Sequence, residues 1–169
     1  MKEKIRAHFQ RWNCRYFVTF TVISLIITDL LNGYYLKLFW SHRDMSLNLV
    51  RQSITKGGMI FEDFSPDTIS EMTGFVDNTF YFFLFLVLFN NLFFYFFYYL
   101  KRLWAQGFVL FYTFSAALFA LTFIVDNSGL PVGWKVYNVI SIPFYLYLFL
   151  GVKTLKTETT ILVNEKKGR

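Results

Sequence analysis

Residues 75–100 read FVDNTFYFFLFLVLFNNLFFYFFYYL, twenty-six consecutive positions with a single charge, Asp77. About 20 predominantly apolar residues suffice for a helix to cross a hydrocarbon core of about 30 Å, so this stretch predicts a transmembrane helix. Strands of a membrane barrel alternate in polarity over about ten residues, which this run does not do. A helix also satisfies every backbone N–H and C=O within the segment, as lipid requires. Three further runs of similar character occupy residues 16–36, 103–125 and 134–152. The expected fold class is an all-α membrane protein, a four-transmembrane-helix bundle with a short, partly helical extracytoplasmic loop. It forms a single transmembrane domain over residues 1–169, with an outer loop at 37–74 and a cytoplasmic tail at 153–169.

Composition agrees. Of 169 residues 55% are hydrophobic and 23 are Phe, more apolar surface than a soluble domain of this length can hide. Phe, Tyr, Asn, Ile and Lys are abundant and Ala is scarce, the pattern of an AT-rich coding sequence, so the Phe excess does not itself mark an aromatic site. The single cysteine, Cys14, excludes an intramolecular disulfide framework. The first apolar run follows five basic residues and ends in no small-x-small cleavage pattern, and it is expected to remain in the mature chain.

Orientation follows from the basic residues. Lys2, Lys4, Arg6, Arg11 and Arg15 precede the first span, Lys101 and Arg102 join the second and third, and Lys153, Lys156, Lys166, Lys167 and Arg169 close the chain, twelve on one side. The other side has five, at Lys37, Arg43, Arg51, Lys56 and Lys135. By the positive-inside tendency both termini are cytoplasmic, which predicts a multi-pass protein of the plasma (inner) membrane. Trp12, Tyr16, Tyr98, Tyr99 and Trp104 fall at the inner border, and Tyr34, Tyr35, Trp40, Trp134 and Tyr137 at the outer. The formal charge of +6 is spread around the apolar runs instead of forming a stripe with stacking aromatics. Anionic lipid head groups, and not nucleic acid, are the expected counter-charge.

Within the outer loop, residues 45–55 place Leu47, Val50 and Ile54 on one helical face, and Gly57-Gly58 is a stop signal. Such a helix would lie on the outer leaflet or pack over the bundle mouth. Ser65-Pro66 reads as an N-cap followed by proline at the first helical position, opening a helix that runs on into the second span. Asp63, Asp67, Glu71 and Asp77 recur near helical spacing, as a solvated acidic face or as a device that gathers cations.

Few polar residues lie inside the spans. In the second, Asp77, Tyr81, Leu84, Leu88, Asn91, Tyr95, Tyr98 and Arg102 alternate spacings of three and four, which puts them on one helix face. The face reads either as the lining of an ion or polar pathway or as hydrogen-bonding contacts to neighbouring helices. Asp29 lies about 5 Å beyond the centre of the first span by helical rise. An acid at that depth is a candidate proton or cation site unless it is paired or reaches to the head groups. Asn138 and Ser141 share a face of the fourth span with Tyr145, and Pro143 frees the carbonyl of Val139, as an ion or water ligand or as a plain packing kink. Thr113, Ala116, Ala117 and Ala120 in the third span form a small-residue face suited to close helix packing.

Catalytic chemistry is missing. His8 and His42 fall on opposite sides of the proposed membrane, so no pair of them ligates a metal or haem within one chain. No serine has a histidine partner base, and no cofactor is expected. The 159–163 run TTILV suits a strand added to a partner's sheet or a frayed tail. The sequence therefore points to a small non-enzymatic subunit or accessory factor of a membrane assembly, binding a membrane protein partner or a second copy of itself through the small-residue face of the third span, the polar face of the second and the basic tails. The alternative is a cation or proton channel or carrier that uses Asp29 and the polar face of the second span.

Overall fold

The computed structural model describes residues 7–9, 14–125 and 132–167, with their side chains except those of 123, 125 and 156–167. Lys2, Lys4, Arg6, Arg11, Trp12 and Arg169 lie outside the described residues. Five helices account for most of the rest, and no strand occurs among the described residues. They are α1 (Cys14–His42), α2 (Met45–Lys56), α3 (Pro66–Tyr99), α4 (Leu103–Val125) and α5 (Val132–Lys167), with one 3-10 turn at Phe61–Asp63 between α2 and α3. The segments Cys14–His42, Pro66–Tyr99, Leu103–Thr122 and Val132–Leu155 are long and apolar enough to cross a membrane.

Local chemistry sets the helix ends. Ser65 precedes the first helical residue, Pro66, and its Oγ accepts the backbone N–H of Thr68 at 3.2 Å. At the end of α2, Gly58 takes φ of 75°, and the N–H groups of Gly58 and Met59 return to the carbonyls of Thr55 and Ile54. That pair of bonds is a Schellman motif, and its left-handed residue is glycine for want of a Cβ penalty. The same motif ends α3: Lys101 N–H bonds Tyr98 O at 2.8 Å and Arg102 N–H bonds Phe97 O at 3.1 Å. Here the left-handed residue is Lys101, φ 58°, a conformation unfavourable for a side chain with a Cβ.

Two expectations change. Residues 153–167 are helical and belong to α5, so TTILV is not a strand. No proline or glycine interrupts residues 152–167, and once a helix exists each residue is added at little cost, even a β-branched one. Arg102 lies beyond the end of α3, in the turn to α4, and so does not continue the helix face that begins at Asp77.

The chain divides into two compact units, Met1–Ile27 with Leu92–Arg169, and Thr28–Asn91. The first is a bundle of four helical segments. Its core joins Phe17, Val18 and Leu25 of α1, Tyr95 and Tyr98 of α3, Val109 and Ala117 of α4, and Tyr145, Leu148 and Val152 of α5. Phe94 stacks on Phe108 at 3.7 Å between centroids, and Phe97 meets Trp104, so aromatic faces zip the α3–α4 hairpin. Gly151 of α5 is needed for the closest contact in the core. A β-carbon there would stand 2.7 Å from Phe9 Cε1 and 2.8 Å from Phe17 Cε1, and closer still to Phe17 Cζ.

The second unit is an antiparallel seam between α1 and α3, with α2 packed on it through Val50 and Ile54, both buried. On α1 the seam residues Asp29, Gly33 and Trp40 stand four and seven positions apart, on one helix face. Gly33 leaves room for Leu84 and Leu88 of α3, whose Cδ1 atoms would both lie 3.9 Å from a β-carbon at that position.

Candidate functional site

Of the polar face predicted for α3, Asp77, Leu84, Leu88 and Asn91 meet α1 within the second unit. Near one end of the seam Asn91 Nδ2 donates to Asp29 Oδ2 at 3.0 Å, and the two side chains are only 6% and 5% exposed. Near the other end the indole Nε1 of Trp40 donates to Asp77 Oδ1 at 2.7 Å. The Trp40 ring stacks on Phe80 with centroids 4.0 Å apart and planes 9° apart. Between these contacts the seam is filled by Leu84 and Leu88 against Gly33. Asp29 therefore does not reach outward as a snorkelling side chain; it is buried and held by an amide.

The other candidates in this unit face outward. Tyr81 is exposed and borders a cleft with Asp77, and Asp63, Asp67 and Glu71 are exposed. In the first unit, Tyr95 is buried in the core and Arg102 is exposed. Asn138 and Ser141 are buried and turned back on their own helix. Asn138 Nδ2 donates to the carbonyl of Trp134 at 2.9 Å, and Ser141 Oγ donates to that of Asn138 at 3.0 Å. Pro143 sits inside α5, which continues past it. Thr113, Ala117 and Ala120 are buried within the chain, with Ala116 packed against the core, so this small-residue face is not open to a partner. Thr113 Oγ1 donates to the carbonyl of Val109 at 2.8 Å.

Two residues of the site carry little signal in the sequence. Trp40 reads as an interfacial aromatic, yet it orients Asp77. Asn90 lies off the face that its neighbour Asn91 shares with Asp77. Successive helical residues point about 100° apart, so an Asn-Asn pair with one amide in the seam turns the other away from it. Asn90 is exposed and makes no side-chain hydrogen bond among the described residues. On its side of the helix, one and two turns earlier, stand Leu86, Val87 and Phe83, all exposed.

Among the described residues no group of three or more His, Cys, Asp and Glu side chains is placed to hold a metal ion. Compared with known family models, curated proteins and solved structures, the chain matches none.

Proposed function

We propose that this chain is a small non-enzymatic integral membrane subunit of the plasma membrane with both termini in the cytoplasm, and that it binds a further transmembrane helix across the outward face of α3. The observation that carries this reading is Asn90. It lies within about 5 Å of the middle of residues 75–100 by helical rise, on an exposed apolar face with Phe83, Leu86 and Val87. A primary amide turned to hydrocarbon costs free energy unless a polar group of a neighbouring helix meets it. Only 11% of the most apolar stretch of α3 is buried within the chain, against 33 to 39% for the other three long helices, so α3 has the most surface left to offer. The buried alanines of α4 are already used inside the chain, which moves the docking surface from α4 to α3.

The test is extraction in native lipid, mass determination of the intact particle and identification of its chains, with wild type and Asn90→Leu compared. A stoichiometric second chain, foreign or identical, that is released by Asn90→Leu supports the reading. A particle of one copy alone, or one whose composition ignores the substitution, refutes it.

The buried Asp29–Asn91 pair favours a second reading, in which the carboxylate binds a proton or cation in transit. Asp29→Asn and Asn91→Leu would then abolish ion flux in reconstituted vesicles while the protein stays folded. Unchanged flux in both would remove this reading.

A further inference from the structure

A cleft of about 600 Å³ opens in the second unit between the end of α1, the start of α2 and the first turns of α3. Its walls carry two carboxylates, Asp44 and Asp77, hydroxyl groups and two aromatic rings, and no basic side chain. One oxygen of Asp77 is occupied by the Trp40 indole, which fixes the carboxylate plane. The other has no partner among the described residues. Ser46 is 7% exposed, lines the cleft and makes no side-chain hydrogen bond among the described residues. Its hydroxyl, one that no hydrogen bond of the fold engages, is open to a ligand bound in the cleft. Gly74 also lines the cleft, and a β-carbon there would meet nothing within 4 Å, so the space is open down to the α3 backbone.

We propose that this cleft binds an organic ammonium group, with a primary amine as the favoured form. The charge is set by two carboxylates without a counter-ion in the walls. A bare divalent metal fits poorly, because such ions demand several oxygen ligands close around them and the described residues offer no such cluster. The volume is that of a small-molecule site, and Trp40 and Tyr81 supply aromatic faces of the kind that attract an ammonium once it is desolvated. Asp77 and Ser46 are then acceptors for its N–H groups, which a primary amine has and a quaternary one lacks. This assignment does not rest on the proposed partner of α3.

The probe is ethanolamine, added to the full chain in lipid-free non-ionic detergent after replacement of Trp12, Trp104 and Trp134 by Phe, so that Trp40 alone reports. Binding is read by Trp40 emission and by calorimetry. The expected result is a saturable response to ethanolamine hydrochloride and none to ethylene glycol, its neutral isostere, or to sodium or magnesium chloride. Asp77→Asn keeps an acceptor for the indole and should weaken binding about tenfold or more, the loss expected when a charge-assisted contact becomes neutral. Gly74→Phe enters the cleft from a position where a β-carbon meets nothing within 4 Å, and should abolish binding. No saturable response, or equal responses to the glycol or the salts, would overturn the proposal, as would full affinity in both variants. Nanodiscs separate the natural sources of the group. Loss of ethanolamine binding in phosphatidylethanolamine discs, but not in phosphatidylglycerol discs, assigns the cleft to a lipid headgroup; retention in both assigns it to a soluble amine.

Discussion

Replacing Gly151 by alanine tests the packing of the first unit at its tightest point. Alanine is the better helix former by about 1 kcal/mol, so in an uncrowded helix the change stabilises. At Gly151 the new methyl would press on two rings, at 2.7 Å from Phe9 Cε1 and 2.8 Å from Phe17 Cε1, distances nonbonded carbons do not tolerate. Phe17 is fully buried and held edge-on by Phe9 with centroids 5.5 Å apart, so the ring has nowhere to turn. Overpacking of this kind costs up to about 3 kcal/mol. Subtracting the helix gain leaves a net loss of about 2 kcal/mol, roughly a thirtyfold shift toward the unfolded state. Denaturant titration in mixed micelles, followed by circular dichroism, measures it. Gly33→Ala is the control, because its β-carbon would make only ordinary 3.9 Å contacts and the change should be neutral or stabilising. Phe17→Leu combined with Gly151→Ala should recover part of the loss. Equal stability of Gly151→Ala and Gly33→Ala would refute the packing described for this core.

The same titration checks three further changes. Asn91→Leu removes the amide donor from the buried Asp29 and should cost about 1–3 kcal/mol, much of it regained in the Asp29→Leu, Asn91→Leu double variant; strictly additive losses would contradict the pairing. Trp40→Phe keeps an aromatic ring against Phe80 but deletes the hydrogen bond to Asp77. A loss of about 1 kcal/mol is expected, toward the low side for a bond to a charged acceptor because the site is only half-buried, and no loss would remove the bond's structural role. Lys101→Gly relieves a left-handed residue and should stabilise by about 1 kcal/mol, whereas destabilisation would show that the lysine side chain supports the turn.

Much of the helical plan is legible in the sequence because hydrophobic length and cap residues act locally. Gly57-Gly58 and Ser65-Pro66 each coincide with a helix end, and the four long helices cover the four apolar runs. The extensions are harder to read. α1 continues to His42 and α5 to Lys167 because nothing in those stretches breaks a helix already formed, while polarity alone reads as loop or tail. The seam between α1 and α3 is half legible. The spacing from Asp77 to Asn91 marks a face, but which helix it meets depends on Gly33 opposite Leu84 and Leu88, contacts that no single-helix pattern contains. Trp40 was hidden for a related reason, since an aromatic near a span border has an ordinary interfacial role until a carboxylate is found 2.7 Å from its N–H. Of the two adjacent asparagines only one can face inward, and the three-and-four spacing from Asp77 picks Asn91, the one that meets Asp29.

The turn after α3 bears on how such a chain is made. Only Leu100, Lys101 and Arg102 separate α3 from α4, and the motif that reverses the chain closes over two cationic residues. With so little slack the two helices leave a ribosome as one hairpin, and for a chain inserted as proposed both must enter the bilayer together while the cations stay on the side of synthesis. Lengthening this turn with neutral residues would uncouple the two insertions; the price of a lysine in a glycine conformation thus keeps the hairpin pointing one way during assembly.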